Sequence, residues 1–405
     1  MTARGRVTIV GHDASCSGAP LQLETWLRWA TSHTDAELSL VLLRGGPLVD
    51  RYRSLVPVRV LDDHVWRLMD RLSSGLDSVG RTDRLANAVR SLSARPIRRT
   101  NGGTVVANTL AALPIAAPAA SGARLVAHVH ELDHVADRVL PGAPARQRLL
   151  DRVDLFVAAG APVARMLEQR MGIHRRRIAV VEPFIDPPVV GDFAVSPVNA
   201  VSGGADTGGG PLVVSVGGIS HRKGTDRFVD LMAMLCGGPS APKGLWIGGD
   251  LHGTVAAEMR SDLARAGLGD RVRLVGQRDD VASLVAAADV VVSTAREDPF
   301  PLGVLEAGAL DRPVVVFDSG GAAEVLRSSG NAGCVIPLGD TIAMHDRVAS
   351  LLAEPAEAGR CGRTLGAHVR SVHLTDRVAP ILWSLLASGP SDGPPALRSD
   401  FRAGP

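Results

Sequence analysis

The sequence predicts an α/β protein built from two doubly wound lobes that face a cleft. Three observations carry this. Short β-branched runs alternate with helical stretches in both halves of the chain, a Gly- and Pro-rich segment separates the halves, and 405 residues exceed one ordinary core.

In the first half the apolar runs are Val7–Val10, Leu38–Leu43, Val58–Leu61, Thr104–Ala107, Leu125–Val129, Leu155–Ala158 and Ile178–Val181. Each is short enough for a buried parallel strand. Between them, Leu21–Trp29 and Val163–Met171 space apolar residues three and four apart, and Leu68–Leu92 has room for two helices. The first domain is therefore expected over residues 1–188. Pro187, Pro188 and the stretch Val201–Pro211 have linker composition, which makes 189–211 the expected connection. A second set of strands follows at Leu212–Val216, Gly244–Ile247, Val272–Val275, Asp289–Ser293, Pro313–Phe317 and Cys334–Pro337, giving a second domain over 212–364. Helices at Ile342–Leu352 and roughly Ala356–Leu386 close the pattern, with 365–387 read as a terminal helix. Val378, Ile381, Leu382, Leu385 and Leu386 have the spacing of a docked face. Residues 388–405, rich in Gly, Pro, Ser and charge, are expected to be disordered.

Composition removes several function classes. A formal charge of +2 argues against a nucleic-acid partner held by bulk charge. Cys16, Cys236, Cys334 and Cys361 are scattered, without metal-type or redox-type spacing, which fits a reducing cytoplasm. No apolar stretch follows Met1, so a signal peptide is not expected. Thr104–Ala120, broken by Asn108, Pro114 and Pro118, makes a poor membrane span. The basic stretches Arg95–Arg99 and Arg146–Arg152 read first as solvated faces, and leave open a weak peripheral contact with anionic lipid.

Ligands of open α/β sheets bind beyond the carboxyl ends of the strands. The polar motifs follow strands in that way: Gly217-Gly218, Arg222-Lys223-Gly224, Gly248-Gly249-Asp250 and the acidic loop before Glu306 in the second half, and Gly11-His12, Asn108 and His130-Glu131 in the first. Within Ser293–Glu306, Pro301 suits the first turn of a helix. Asp298 then stays on the loop while Glu306, about two turns later, projects from the helix body. Arg222 and Lys223 sit where another helix begins, and two fixed cations at a helix start suit a diphosphate. An ordinary solvated turn is the plainer reading of that pair. The chain has no Gly-x-x-x-x-Gly-Lys-Ser/Thr loop and no Gly-x-Gly-x-x-Gly after its first strand, which argues against a nucleotide triphosphatase or a nicotinamide dehydrogenase. Taken alone, His130 reads as a packed histidine, Glu131 and Glu324 as helix-starting acids, and Asn108, His12 and Asp13 as turn residues.

Three strings in order make a specific resemblance: Arg-Lys-Gly-Thr-Asp at 222–226, Ser-x-x-x-Glu-Asp-Pro-Phe-Pro-Leu-x-x-Leu-Glu-Ala at 293–307, and Pro-Val-Val-Val-x-Asp-x-Gly-Gly-x-x-Glu at 313–324. Over roughly Leu212–Leu338 the chain resembles the donor-binding half of retaining glycosyltransferases of the GT-B fold, with two Rossmann-like lobes. The first half resembles the same group more loosely, through Gly11–Pro20, Ala107–Thr109 and His128–Leu132. The resemblance implies that Arg222 and Lys223 neutralise the diphosphate leaving group, and that Glu306 takes the ribose hydroxyls. It places Asp298 toward the donor sugar, with Glu297 as rival. It gives Leu302 and Gly303 backbone amides for the distal phosphate, and groups Gly218 and Phe300 with the donor-binding residues. Pro301 stands where many members have glycine, so the phosphate cradle lacks one donor. His130 matches a histidine near the transferred sugar, and Gly18 and Ala19 a loop approaching donor and acceptor.

The implied reaction is transfer of a hexosyl group from a nucleotide-diphosphate sugar with retention of configuration. It needs neither metal nor cofactor, because fixed cations and helix-end amides stabilise the departing diphosphate. Asp62-Asp63 is a bystander as a metal motif. A UDP-sugar is favoured over a GDP-sugar as donor. The acceptor is left as a glycan, a lipid-linked compound or a small metabolite, in a bacterial envelope or secondary-metabolite setting. The resemblance also implies that the terminal helix packs back toward the first domain. A nucleotide-sugar epimerase, a phosphorylase and a catalytically silent binding protein are the alternatives. A phosphorylase using pyridoxal phosphate needs a second-lobe lysine, and only Lys223 and Lys243 stand there.

Overall fold

A computed structural model describes residues 5–61, 102–140, 142–191, 210–238 and 241–387. The helices expected within Leu68–Leu92, Asp62-Asp63, the basic stretch Arg95–Arg99, most of the 189–211 linker and the tail 388–405 lie outside those residues. The chain divides into two compact units, one of Met1–Pro183 with Thr375–Pro405, the other of Phe184–Leu374.

The first unit holds a seven-stranded sheet: β1 (Arg6–Gly11), β2 (Glu37–Leu42), β3 (Val58–Val60), β4 (Thr104–Asn108), β5 (Arg124–Val129), β6 (Leu155–Ala158) and β7 (Ile178–Val180), in the order β3-β2-β1-β4-β5-β6-β7. Every pairing is parallel. The second holds six parallel strands, β8 (Leu212–Val216), β9 (Lys243–Ile247), β10 (Val272–Leu274), β11 (Val290–Ser293), β12 (Val314–Phe317) and β13 (Val335–Ile336), ordered β10-β9-β8-β11-β12-β13. Strands such as β4, β5 and β12 are buried along their whole length, as sheets covered by helices on both faces require. In each sheet the strand order reverses, next to β1 in the first and next to β8 in the second, and such reversals open a crevice at the carboxyl edge. Register fixes what lines that edge: Gly11 lies beside Asn108, and Asn108 beside His128.

One local expectation changes here, and two hold. Residues 163–171 form an α-helix only to Arg165, followed by one wider turn, Met166–Arg170, closed by Met171 N–H to the Met166 carbonyl at 3.2 Å. Thr104–Ala120 is strand, short turn and then helix Leu113–Ala119. Among the described residues no helix is long and apolar enough to cross a membrane.

The stretch 365–387 is two helices rather than one. Pro355–Val372 belongs to the second unit, and Thr375–Ala387 to the first. The break has a partner: Ile185 N–H donates to the His373 carbonyl at 2.9 Å and Ile185 forms a parallel bridge with Leu374, so the chain is extended there. Helix Thr375–Ala387 sets Trp383 against Trp26 of helix Gly18–His33, ring centroids 6.1 Å apart. It also gives its Leu385 carbonyl to buried Arg124 at 2.7 Å.

Cys334 and Cys361, unrelated by sequence spacing, both accept from Nη2 of Arg347, at 3.5 and 3.6 Å.

Candidate functional site

In the second unit the end of β8 sets the first part of the site. Gly217 N–H donates to the Ile247 carbonyl at 2.8 Å, and the Gly217 carbonyl accepts Nε1–H of Trp246 at 2.9 Å. Gly218, next along, is exposed, and a Cβ there would meet nothing within 4 Å. Ser220 then caps the short turn His221–Lys223, its hydroxyl accepting from Lys223 N–H at 3.3 Å. Gly224 ends the turn at φ +71°, and any Cβ there would overlap the Thr294 carbonyl oxygen. This close approach joins the basic turn to the chain leaving β11.

The acidic loop is fastened to that turn at several points. Arg222 Nη1–H donates to the Glu297 carbonyl at 2.8 Å, Arg296 N–H donates to the Arg222 carbonyl at 2.8 Å, and the Thr294 hydroxyl donates to the Gly224 carbonyl at 2.8 Å. Lys223 Nζ is hydrogen-bonded to the Asp298 carboxylate. Arg296 grips both carboxylate oxygens of Asp226, at 2.7 and 2.5 Å. On the far side Asp298 N–H donates to the Ser319 carbonyl at 3.2 Å, and Gly320 is pressed so close to the Asp298 carbonyl that no side chain fits.

Phe300 is buried in the second core, with its ring 5.6 Å from that of His373. Its side chain is a packing group, so a donor contact from this position falls to the backbone. Pro301 is not in the first turn but just before it, in extended conformation, and the helix begins at Leu302. Val304, Leu305, Ala307 and Gly308 of that helix are buried, which leaves Leu302, Gly303 and Glu306 on its partly open face. A Cβ on Gly303 would lie 2.9 Å from Cβ of Val216, so the start of this helix touches the end of β8. The Leu302 and Gly303 amides, at the helix start, have no intrahelical acceptor. Burial pushes the Glu306 carboxyl above the usual range. Among the described residues no hydrogen-bond or ion-pair partner is found for it. A desolvated carboxyl of this kind is suited to a ligand's hydroxyl groups.

The first unit carries a second polar cluster. At the shared carboxyl edge of β1, β4 and β5, the Thr109 hydroxyl lies 3.3 Å from Nδ1 of His12, and the His128 and His130 rings are 4.0 Å apart. Thr109 has φ +114°, a conformation rare for a β-branched residue. Glu131 ties the edge together: one oxygen accepts Leu110 N–H at 2.8 Å, the other His130 N–H at 2.9 Å. Burial outweighs these bonds and pushes its carboxyl up to about 7. Burial also lowers the imidazoles, His128 to about 3, His130 well below the usual value, and His12 despite the opposing charge of Asp13. The histidines are thus neutral at physiological pH. Nε2 of His130 is enclosed and has no hydrogen-bond partner among the described residues. Gly18 opens helix Gly18–His33, exposed and with free space around its Cα, followed by half-buried Ala19.

The structure therefore brings Gly218, Arg222, Lys223, Glu297, Asp298, Leu302, Gly303 and Glu306 around the ends of β8 and β11, and sets His130 in a separate cluster on the first sheet. Sequence reasoning missed Arg296, Asp226 and Thr109. Both members of the Arg296–Asp226 pair stand inside the motif strings, yet no spacing rule relates residues that far apart.

Residues 210–354 match the family model "Glycosyl transferases group 1", and residues 60–188 match "Glycosyltransferase Family 4". Each half is thus similar to a glycosyltransferase family. Among curated relatives, a lipopolysaccharide core biosynthesis mannosyltransferase of Rhizobium leguminosarum bv. viciae, LpcC, is 31% identical over 201 residues, covering 47% of this chain and 55% of its own. LpsB of Rhizobium meliloti, also a lipopolysaccharide core mannosyltransferase, is 36% identical over 141 residues, 34% of this chain and 40% of its own. The chain thus spans about half the length of the curated relatives it matches. Among solved structures, Anabaena Alr3699/HepE in complex with UDP and glucose superposes with a TM-score of 0.76 at 19% identity, over 94% of this chain and 99% of that one. The fold is that of GT-B glycosyltransferases, with two parallel-sheet Rossmann-like domains.

Proposed function

We propose that the protein transfers a hexosyl group from a nucleotide-diphosphate sugar to a glycan, lipid-linked or metabolite acceptor, with retention of anomeric configuration. The observation that carries the reading is the meeting of Arg222, Lys223 and Asp298 with the start of a helix whose Glu306 is desolvated. Glu306 accepts the ribose hydroxyls. The diphosphate lies against Arg222, Lys223 and the free amides of Leu302 and Gly303, where cations and a helix start favour negative charge. Lys223 exchanges Asp298 for a phosphate oxygen, which leaves Asp298 to face the sugar.

The bond from the anomeric carbon to the phosphate oxygen breaks with its electron pair going to the phosphate, so charge builds where the fixed cations are. The acceptor oxygen attacks the same face of the oxocarbenium-like sugar and gives its proton to the departing phosphate. His130, neutral, lies near the transferred sugar. With two cations at the leaving group, the reaction runs without a divalent metal. A UDP-sugar is the favoured donor, a GDP-sugar the second choice. Support comes from the UDP and glucose held by HepE and from the lipopolysaccharide core relatives. The same reading places the protein in the cytoplasm, in loose contact with anionic lipid through Arg146–Arg152; binding to anionic vesicles that fails to fall with salt removes that contact.

Calorimetric titration with UDP and GDP without metal, on the wild type and on Lys223→Ala and Glu306→Ala, tests the donor site. Binding of one nucleotide, weakened in both variants, is expected; no binding to folded protein sinks the reading. The anomeric configuration of the product, read by NMR, and turnover in EDTA test retention and metal independence. Conversion of donor without any acceptor would mean an epimerase instead.

A further inference from the structure

We infer that Arg296 is a positioning residue for the donor diphosphate, fastening the Arg222-Lys223 turn to the acidic loop while Lys223 changes partner. The inference rests on the donor reading above. Four side-chain contacts join the turn region to the loop: Arg222 to the Glu297 carbonyl, Lys223 to Asp298, the Thr294 hydroxyl to the Gly224 carbonyl, and Arg296 to Asp226 and His221. A bound diphosphate competes for the Arg222 and Lys223 side chains, so two of the four are lost or weakened when they are needed. The contacts of Arg296 are not in that competition. Its Nη1 donates to the His221 carbonyl at 2.7 Å and to Asp226 Oδ1 at 2.7 Å, its Nη2 to Asp226 Oδ2 at 2.5 Å, and its backbone N–H to the Arg222 carbonyl at 2.8 Å.

The chemistry favours arginine here. A planar fork reaches both oxygens of Asp226 and a carbonyl at once, which an ammonium does not. Asp226 stands in the first turn of helix Thr225–Cys236, immediately after the basic turn, so the clasp fixes the turn from behind. The hydrogen bonds from Arg296 hold the Asp226 carboxyl below its usual range, as expected for a lasting pair. Side-chain exposures of 25% and 43% make it a poor source of stability. Its effect therefore belongs in phosphate binding rather than in folding.

The test compares UDP with uridine, and GDP with guanosine, by ligand-observed NMR competition on the wild type, Arg296→Lys, Arg296→Ala and Asp226→Asn. Expected is a loss of about tenfold in affinity for the diphosphate, near 1.4 kcal/mol, with the nucleoside unchanged. Placed in a Lys223→Ala background, the same changes should have little further effect. Equal losses of nucleoside and diphosphate would mean a general structural role and overturn the inference, as would an unchanged diphosphate affinity. Should Arg296→Ala fold poorly by its thermal melt, Arg296→Lys and Asp226→Asn carry the comparison. A wild type that binds neither UDP nor GDP overturns the donor reading and this inference together, a result distinct from a variant-specific change.

Discussion

The ammonium of Lys223 rests on the carboxylate of Asp298, a residue 75 positions later in the chain, and the two side chains are only 20% and 8% exposed. An acid and a base for which we propose separate duties on the donor are thereby held together, each making the other's burial tolerable. Lys223→Ala leaves the carboxylate enclosed without its cation and should cost about 2 kcal/mol in denaturant unfolding. Lys223→Ala combined with Asp298→Asn should be more stable than Lys223→Ala alone. Additive losses would show that the pair contributes nothing as a pair.

Two glycines in neighbouring motifs should respond oppositely to one methyl group. Gly224→Ala puts a Cβ into the Thr294 carbonyl at positive φ, and should lower the melting temperature sharply. Gly218→Ala meets nothing within 4 Å and should change stability by less than about 0.5 kcal/mol. Any loss of nucleotide affinity in Gly218→Ala then reports the space a ligand occupies, and unaltered affinity would remove Gly218 from the donor site.

The strands were legible because a sheet covered on both faces leaves a continuous apolar run such as Val290–Val292 or Val314–Phe317, and the glycines and polar residues after each run mark its carboxyl end. The Arg222, Lys223, Asp298 and Glu306 set was legible for the same reason: strand ends bring together motifs far apart in sequence. Other features follow from pairings without a local signal. The break at His373 exists because Ile185 bonds to it from the other end of the unit. Phe300 turns inward because His373 offers a ring to pack on, and Arg296 finds Asp226 only once β8 and β11 are adjacent.

Glu131 gives a prediction in pH. Its folded pKa of about 7 lies above the ordinary 4.5, so the folded state holds a proton that the unfolded state releases. Its contribution to stability is complete below about 4.5 and is lost as pH rises through about 7. His128 works the other way: with a folded pKa near 3 against an ordinary 6.5, it withdraws stability as pH falls through that window. The two slopes oppose between pH 4.5 and 6.5. Glu131→Gln should therefore make unfolding free energy fall more steeply on acidification, measured by urea titrations at pH 5 and 7. An unchanged slope would show that Glu131 titrates normally.

Ending the chain at Leu374 should loosen the first unit and spare the second. Helix Thr375–Ala387 covers Trp26 and supplies the Leu385 carbonyl to Arg124, so its loss exposes an aromatic surface and takes an acceptor from a buried guanidinium. Hydrogen exchange should quicken in β1, β4 and helix Gly18–His33, while β8 and β11 keep their protection. Equal quickening in both units would contradict the assignment of that helix to the first.

Because the chain leaves the first unit after Pro183 and re-enters it at Thr375, the whole of Phe184–Leu374 is an insertion, and its two ends are hydrogen-bonded neighbours at Ile185, His373 and Leu374. A segment whose ends meet can be exchanged for another with the same end spacing without stretching its host. The second unit is in this sense a cassette, and the place to cut for building hybrids is that single paired junction.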